Sequence, residues 1–449
     1  MIIAFIICAL AFQTFINQAY AQLSEFKITA ADGDTLDSFG WSVSISGDYA
    51  VVGAFKDDDN GLNSGSAYIF RRAGTSWIEE AKLLPSDVAA GDQFGLSVSI
   101  SGDYAVVGAQ YDDDNGLNSG SAYIFKRAGT SWIEEAKLLP SDGTEYDNFG
   151  FSVSISGDYT VVGAFKDDDN GSSSGSAYLF KRSGTKWMEE AKLLPSDGAP
   201  DDWFGNKVSI FGDYAIVGAW GDDDNGFYSG SAYVFKRTGT SWVQEAKLLP
   251  SDGAESDYFG FPVSISGDYA VVGAVGNDDD GDGSGSAYVF KRTGTSWVQE
   301  AKLLPSDGTT EDHFGLSTSI SSDYAVVGAY ADDDNGSSSG SVYLYTGFAA
   351  AVAVENKEVD LPVEFVLSQN YPNPFNPETK IWYSLPKDEE VSLAVYNLIG
   401  EKIVHLVGER KQAGSYTIKW DASNVSSGIY FYRLQAGEFV QTKKMVLLK

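Results

Sequence analysis

A unit of 55 residues recurs through most of this 449-residue chain without a change of spacing. The dipeptide Phe-Gly marks each unit, and its phenylalanines are Phe39, Phe94, Phe149, Phe204, Phe259 and Phe314. A tryptophan follows on the same spacing at Trp77, Trp132, Trp187, Trp242 and Trp297. Repeats of this length that are rich in turn residues predict a ring or an array of small units. Function is therefore expected on surfaces that the repeat multiplies, not in one unique pocket.

Four short strands are predicted within each unit. In the first unit, the alternation around Val43 and Ile45 predicts one strand, and residues 49–54, 66–70 and 77–84 predict three more. Glycine-containing turns separate them, and no segment has a helical period. Four antiparallel strands in about 50 residues are typical of a propeller blade. The predicted fold is all-β, with a six-bladed β-propeller over residues 22–347.

The two ends of the repeat region complement each other. The sixth unit stops after its third strand, near residues 343–345, whereas residues 24–29 resemble the fourth strand at residues 79–84. An open array would leave sheet edges exposed. We therefore expect an N-terminal strand to close the ring, with residues 24–30 pairing with residues 341–346.

The N terminus and the charge constrain the location of the protein. Residues 1–21 are largely apolar and end in Ala-Tyr-Ala, which predicts a signal peptide cleaved between Ala21 and Gln22. The mature chain would then lack cysteine, since Cys8 is the only one, and no later apolar run is long enough for a membrane helix. The net charge is -32, almost all of it in the repeats, because residues 361–449 carry ten Lys/Arg against nine Asp/Glu. Nucleic-acid binding is therefore not expected.

The repeat resembles a known family. Phe-Gly followed by Val-Gly-Ala, as at residues 52–54 and 107–109, is similar to the FG-GAP repeat of integrin alpha chains, and Ser-Gly-Ser-Ala-Tyr at residues 119–123 resembles its bacterial form. The resemblance covers residues 22–347 and implies a β-propeller that binds ligands or partners. Integrin propellers have seven blades, so seven is the alternative to the six units counted here.

Every unit carries an acidic loop between its second and third strands. Clustered carboxylates repel one another unless a cation gathers them. The resemblance implies calcium in an Asp-x-Asp-x-Asp-Gly pattern, and Asp278, Asp280 and Asp282 of the fifth unit come nearest to it. Weaker candidates are Asp57, Asp59, Asp112, Asp114, Asp167, Asp169, Asp222, Asp224, Asp332 and Asp334. The alternative is six solvated turns whose Asp and Asn serve turn geometry.

Catalysis has little support, and no catalytic residue is assigned. Matches to G-x-S-x-G fall in loops between strands, and the two histidines, His313 and His405, lie in different domains. No unit departs sharply from the others, as an active site would require. The residues that vary between units follow the second strand and form the predicted ligand surface: Phe55, Gln110, Phe165, Trp220, Val275 and Tyr330.

A different domain follows a linker at residues 348–361. Residues 362–449 begin with a Pro- and Asn-rich segment at residues 370–377, and several short strands then predict a small β-sandwich. That segment, Gly428–Tyr432 and the closing residues resemble the type A sorting domain of the type IX secretion system. The resemblance implies a bacterial cargo that crosses the inner membrane by its signal peptide and the outer membrane by this domain. The closing residues are Lys443, Lys444, Met445, Val446, Leu447, Leu448 and Lys449.

The sequence therefore predicts a secreted or surface-attached bacterial propeller that binds a surface protein, a glycan or a matrix component. The alternatives are an extracellular hydrolase or lyase that uses loop carboxylates, and a structural surface-coat component. Calcium is the only cofactor that the residues suggest.

Overall fold

The computed structural model describes residues 27–74, 76–321, 324–333, 336–346, 365–370, 372–411, 414–437 and 439–448. The predicted signal peptide, with Ala21 and Gln22, and the predicted linker at residues 348–361 lie outside these residues. The chain divides into two compact units on either side of residue 350, and each is described by itself.

Twenty-three strands form the first unit. The first three blades contain β1 Ser42–Ser46, β2 Tyr49–Ala54, β3 Ser66–Ala73, β4 Ser76–Leu83, β5 Ser97–Ser101, β6 Tyr104–Ala109, β7 Ser121–Ala128, β8 Ser131–Leu138, β9 Phe149–Ser156, β10 Tyr159–Ala164, β11 Ser176–Ser183 and β12 Lys186–Leu193. The last three contain β13 Lys207–Phe211, β14 Tyr214–Ala219, β15 Ser231–Thr238, β16 Ser241–Leu248, β17 Phe259–Ser266, β18 Tyr269–Ala274, β19 Ser286–Thr293, β20 Ser296–Leu303, β21 Phe314–Ser321, β22 Tyr324–Ala329 and β23 Ser341–Thr346.

Each blade is an antiparallel meander whose strands pair in chain order. Blades one to five have four strands each, and blade six has three among the described residues. The predicted all-β fold with six blades is confirmed. In the first blade, Val43 pairs with Val52, and Val52 pairs with Tyr68. The two-residue turn after β1 sets the register of β1 with β2, because hairpin loop length fixes which residues face each other. The longer acidic loop at residues 55–65 connects β2 to β3.

Neighbouring blades pack through the Phe-Gly dipeptide. The Phe94 ring is fully buried and meets Tyr123 of its own blade edge-on at 5.5 Å between ring centres, while the Phe94 backbone bridges to Gly65 of blade one. A Cβ on Gly53 would lie 1.9 Å from the carbonyl oxygen of Gly95, so only glycine allows the second strand of one blade to approach the next. These contacts explain why Phe-Gly and Val-Gly-Ala recur together.

The two ends of the array differ from the interior. In blade one, Val43 and Ile45 are 69% and 65% exposed, whereas the equivalent Val98 and Ile100 of blade two are 8% and 5% exposed. Val342 of β23 is 72% exposed. Residues 27–30 form no strand, and Ile28 packs against blade one. The predicted pairing of residues 24–30 with residues 341–346 is therefore absent at residues 27–30, because β23 pairs only with β22 among the described residues. Residues 24–26 lie outside the described residues, and for them the pairing stays a prediction.

The second unit is a two-sheet sandwich, as predicted. Its strands are β24 Val366–Leu367, β25 Glu378–Leu385, β26 Glu389–Tyr396, β27 Lys402–Lys411, β28 Gly414–Asp421, β29 Gly428–Ala436 and β30 Phe439–Leu447. One sheet has the order β24-β25-β28 and the other β27-β26-β29-β30. Their inner faces share a core that includes Tyr383, Leu393, Trp420 and Tyr432.

The Asn- and Pro-rich segment of this sandwich fastens to its last strand. The buried Asn370 donates from Nδ2 to the Thr379 hydroxyl, at 2.9 Å, and its backbone N–H donates to the Tyr432 hydroxyl, at 2.7 Å. Asn373 accepts from the backbone N–H of Val446, at 2.8 Å. The segment thus covers the edge of β30, which would otherwise expose unpaired backbone groups. Within the described residues, no helix has the length and apolar character to cross a bilayer.

Candidate functional site

The acidic loops of the first five blades gather around a lysine of the same blade. In blade three, Lys192 on β12 lies 3.0 Å from Asp167 and 2.6 Å from Asp169, both in the loop between β10 and β11. Its ammonium also lies 2.9 Å from Asp142, in the segment arriving from blade two. Tyr178 donates its hydroxyl to Asp142 and Asp167, at 2.8 Å each. We call this arrangement a lysine hub.

The same hub recurs in the other four blades at 2.5–2.9 Å between nitrogen and oxygen. The members are Lys82 with Asp32, Asp57 and Asp59; Lys137 with Asp87, Asp112 and Asp114; Lys247 with Asp197, Asp222 and Asp224; and Lys302 with Asp252 and Asp279. Each hub ties the acidic loop to the fourth strand and to the preceding segment.

Electrostatics keep the hub groups charged. Desolvation acts to raise the pKa of Asp142, but the hydrogen bonds from Lys192 and Tyr178 and the charge of Lys192 together outweigh it and hold that pKa below its ordinary value. Desolvation acts to lower the pKa of Lys192, and its bonds to Asp169, Asp142 and Asp167 raise it overall. The hub is therefore an ammonium among carboxylates at neutral pH.

The hub geometry does not fit calcium. Eight of the ten weaker calcium candidates have a lysine ammonium at the point where their carboxylates converge. In the fifth blade, Asp278 accepts from the backbone N–H of Gly283 at 2.9 Å, and Asp279 rather than Asp280 or Asp282 reaches Lys302. Among the described residues no three acidic, histidine or cysteine side chains are grouped to hold a metal. Asp334 lies outside the described residues, and Asp332 accepts from Tyr343 at 3.0 Å.

Four of the six residues predicted for the ligand surface each contact a residue of their own blade. Phe55 lies 5.0 Å from Trp41, Gln110 donates to Gln93 at 2.9 Å, Phe165 lies 4.6 Å from Phe151, and Tyr330 stacks on His313 at 6.3 Å. The other two, Trp220 and Val275, come from adjacent blades and line one pocket.

This pocket is aromatic. Its volume is about 300 Å³, and Trp220, Tyr228, Tyr258, Phe261 and Val275 line it; we call it the aromatic pocket. The Trp220 ring lies 5.4 Å from Tyr258 and 6.4 Å from Phe261, at interplanar angles of 76° and 73°. Trp203 packs behind Trp220 at 4.1 Å. The rings therefore face the pocket from several directions instead of forming one flat platform.

Backbone hydrogen bonds between blades four and five position the pocket. Lys247 anchors the loop that begins at Asp222, and Asp223 in that loop accepts from the backbone N–H of Tyr228 at 3.0 Å. The N–H of Tyr258 donates to the carbonyl of Tyr228 at 3.0 Å. The lysine hub of blade four thus supports the loop that presents Tyr228.

Three aromatic residues at the pocket have backbone conformations in the left-handed region. Tyr228, Tyr258 and Trp203 have φ values of 57°, 55° and 52°. The left-handed region is costly for bulky side chains and suits Asn and Gly better. At the position of Tyr228 the other blades have smaller residues: Asn63, Asn118, Ser173, Gly283 and Ser338.

Lysine replaces serine beside the pocket. The position of Lys207 is a serine in four blades, and in blade one that serine donates to the Gly95 carbonyl at 2.8 Å. The Lys207 ammonium instead lies 4.8 Å from the centre of the Phe261 ring and 5.2 Å from that of Phe151. Desolvation among these rings lowers the pKa of Lys207 to about 8.

Sequence reasoning missed Tyr228, Tyr258, Phe261 and Lys207. The expectation that no unit departs sharply from the others is wrong for the fourth. The expectation that function lies on surfaces multiplied by the repeat, and not in one unique pocket, stays a prediction. Aligning the units by their Phe-Gly dipeptides would have identified the departure, since Trp203, Lys207, Trp220 and Tyr228 all replace other residue types there.

The closing residues of the sorting domain contribute side chains to the core of the sandwich. Met445 and Leu447 are fully buried in the sandwich core, whereas Lys444 is exposed and Lys443 half-buried. Leu448 is exposed, and Lys449 lies outside the described residues.

Comparison with family models identifies both units. The FG-GAP repeat matches residues 23–70, 77–125, 132–180, 187–235, 242–290 and 297–345. The secretion system C-terminal sorting domain matches residues 369–448. Both predicted resemblances are confirmed. A search of curated proteins gave no match.

Solved structures resemble the chain only distantly. PorZ, described as a surface component of the type-IX secretion system of Porphyromonas gingivalis, is 10% identical with a TM-score of 0.34, over 95% of this chain and 61% of that one. An acylaminoacyl peptidase from Pyrococcus horikoshii is 10% identical with a TM-score of 0.38, over 90% and 57%. The β-propeller domain of the Trilobed protease from Pyrococcus furiosus is 9% identical with a TM-score of 0.37, over 83% and 96%.

The chain therefore spans about three fifths of the length of the first two structures. Because the repeat model matches more than half of the sequence, this protein belongs to the FG-GAP repeat family and ends in a type IX secretion sorting domain.

Proposed function

We propose that this protein is carried by its signal peptide and sorting domain to the cell surface or the medium, where it binds a partner through the aromatic pocket between blades four and five. The observation that supports the pocket most is the placement of Tyr228 on left-handed backbone, at a position where the other blades have Asn, Ser or Gly. The tyrosine costs on the order of 1 kcal/mol relative to Asn or Gly at this position. Strain of this kind is typical of functional sites.

Binding is better supported than catalysis. The five side chains that line the aromatic pocket include no carboxylate, histidine or serine. Five of the loop carboxylates that a hydrolase or lyase could use, Asp57, Asp112, Asp167, Asp222 and Asp279, are held by lysines in the five hubs. A carboxylate whose oxygens are engaged by an ammonium is poorly placed to exchange a proton with a substrate.

Replacement of the pocket residues by those of sister blades tests the binding site. Trp220→Gln, Tyr228→Asn and Tyr258→Asn each introduce the residue that Gln110, Asn118 or Asn148 provides at the same position. We expect the mature full chain to bind components of a glycan and peptide array, and the triple variant to lose them with no decrease in melting temperature. Identical array profiles for the two proteins would refute the site.

Export is tested separately. Deletion of residues 443–449 would remove the buried Met445 and Leu447 and unfold the sandwich, so it cannot isolate a sorting signal. Reversing the charge of Lys443 and Lys444 to Glu leaves the core intact. We expect this double variant to accumulate in the periplasm, and normal secretion of a folded double variant would oppose a role for these lysines.

A further inference from the structure

The aromatic pocket selects for groups that need no hydrogen bonds. Apart from two phenol hydroxyls, its lining of Trp220, Tyr228, Tyr258, Phe261 and Val275 is carbon and one indole. The indole Nε1 is shielded from solvent and has no acceptor among the described residues. A sugar entering this space would lose the water bound to its hydroxyls and form few hydrogen bonds in return, which disfavours its binding. Two classes remain, alkylated ammonium groups and neutral apolar chains.

Charge distinguishes these two classes. Ring faces carry negative quadrupole potential, and several rings that meet at steep angles can surround a cation. The Trp220 ring is inclined at 76° to Tyr258 and at 73° to Phe261, which is the arrangement of a box. The net charge of -32, concentrated in the repeats, adds a negative field that attracts cations.

The same aromatic cluster already holds an ammonium. Lys207 lies over Phe261 and Phe151 at 4.8 and 5.2 Å from the ring centres. An internal cation thus rests on a ring that also lines the pocket, and the serine of four other blades shows that the fold itself does not require lysine here.

Resting on the proposed function, we propose that the aromatic pocket binds a quaternary or methylated ammonium group, such as a choline headgroup or a trimethyllysine side chain. The alkyl groups contact the rings of Trp220, Tyr228 and Tyr258, and the positive charge is balanced by ring quadrupoles and by the field of the acidic repeats. No bond is made or broken.

Calorimetric titration of the mature full chain with choline and with its neutral isostere 3,3-dimethylbutan-1-ol tests the charge. We expect choline to bind at least tenfold more tightly. Titration with trimethyllysine against unmodified lysine tests the alkyl groups, with tighter binding of the methylated form expected. A preference for choline over trimethyllysine would assign the headgroup as the source, and the reverse would assign a protein side chain.

Variants separate pocket binding from surface charge. Trp220→Gln and Tyr228→Asn should each reduce choline affinity at least tenfold, whereas Phe55→Gln, the equivalent change in blade one, should leave it unaltered. Lys207→Ser removes a like charge behind Phe261 and should tighten binding severalfold. Equal affinity for the neutral isostere, or no choline binding, overturns the ligand class. Array binding that the triple variant loses would then still support the pocket as a binding site.

Discussion

The lysine hubs and the aromatic pocket both use residues of the acidic loops, but the hub residues are nearly the same in every blade and the pocket residues are not. Lys247 and Asp222 have equivalents in nearly every blade, because each hub joins three segments of the chain. Tyr228, six residues after Asp222, has four different residue types at its position. Groups that connect strands are repeated, and groups that face the pocket are free to vary.

The largest expected effect concerns a contact between blades. Gly163→Ala would place a Cβ 1.9 Å from the carbonyl oxygen of Gly205, so the blades must separate. We expect a loss of at least about 4 kcal/mol in the free energy of unfolding, measured by urea denaturation. Gly184→Ala, at a turn with open space around it, is the control and should cost about 1 kcal/mol. Similar losses for the two would contradict the repeated interface.

Ring closure is tested by Lys27, which lies one repeat before Lys82. Lys27 is exposed among the described residues, and Asp307 and Asp332 of blade six both accept from Tyr343. If the N-terminal strand completes blade six, Lys27 supplies the missing hub lysine. We then expect Lys27→Met to destabilise the protein by about 2–4 kcal/mol. An unchanged melting temperature would reject closure. Truncation to Gly33 is less informative, because it also removes Asp32 from the first hub.

The hub itself is tested at blade three. Lys192→Met leaves Asp142, Asp167 and Asp169 without their cation, and breaking such a buried pair costs about 3–5 kcal/mol. We expect the melting temperature of the native protein to be the same in calcium and in a chelator. In Lys192→Met, calcium should restore part of the lost stability, because three carboxylates then surround an empty position. A large decrease in the melting temperature of the native protein in the chelator would instead support a structural calcium site.

Buried aspartates in the loops predict a mild acid stabilisation. Desolvation raises the pKa of Asp92, Asp147 and Asp202 to about 6. These groups bind protons more tightly when folded, so they favour the folded state below about pH 4 and that benefit is lost as pH rises to 6. We expect the melting temperature to rise by a few degrees between pH 7 and pH 5. Replacing all three by Asn should flatten this slope; an unaltered slope would assign it to other groups.

The smallest expected effect concerns strain in the pocket. Tyr228→Asn places a residue suited to left-handed backbone at φ 57° and should raise stability by about 0.5–1 kcal/mol while weakening ligand binding. Ser173→Asn, at the same position in blade three, should change stability by less than about 0.5 kcal/mol. Destabilisation by Tyr228→Asn would mean that the ring is required for packing and would weaken the functional interpretation of the strain.

Much of the fold was predictable from local patterns. The predicted fourth strand from Trp77 to Leu84 is β4, Ser76–Leu83. The alternating pattern alone could not show that Val43 is exposed while Val98 is buried, because the two segments have the same pattern. Val98 is covered by the preceding blade, and Val43 lies in the first blade. Nor could it show that the acidic loops contain their own cation, since Lys192 and Asp167 are separated by a strand and a turn.

The sequence by itself determined the period, the six blades, the sorting domain and the overall acidity, because these depend on residues near one another in the chain or on composition. Only the tertiary structure decided which carboxylates meet a lysine and which rings meet each other. Tyr228 and Tyr258 come from different units, and the parallel approach of Gly230 to Phe259 brings those units together. These side-chain contacts depend on how one blade packs against the next. The repeat predicts how many such interfaces exist, but not which side chains touch in each.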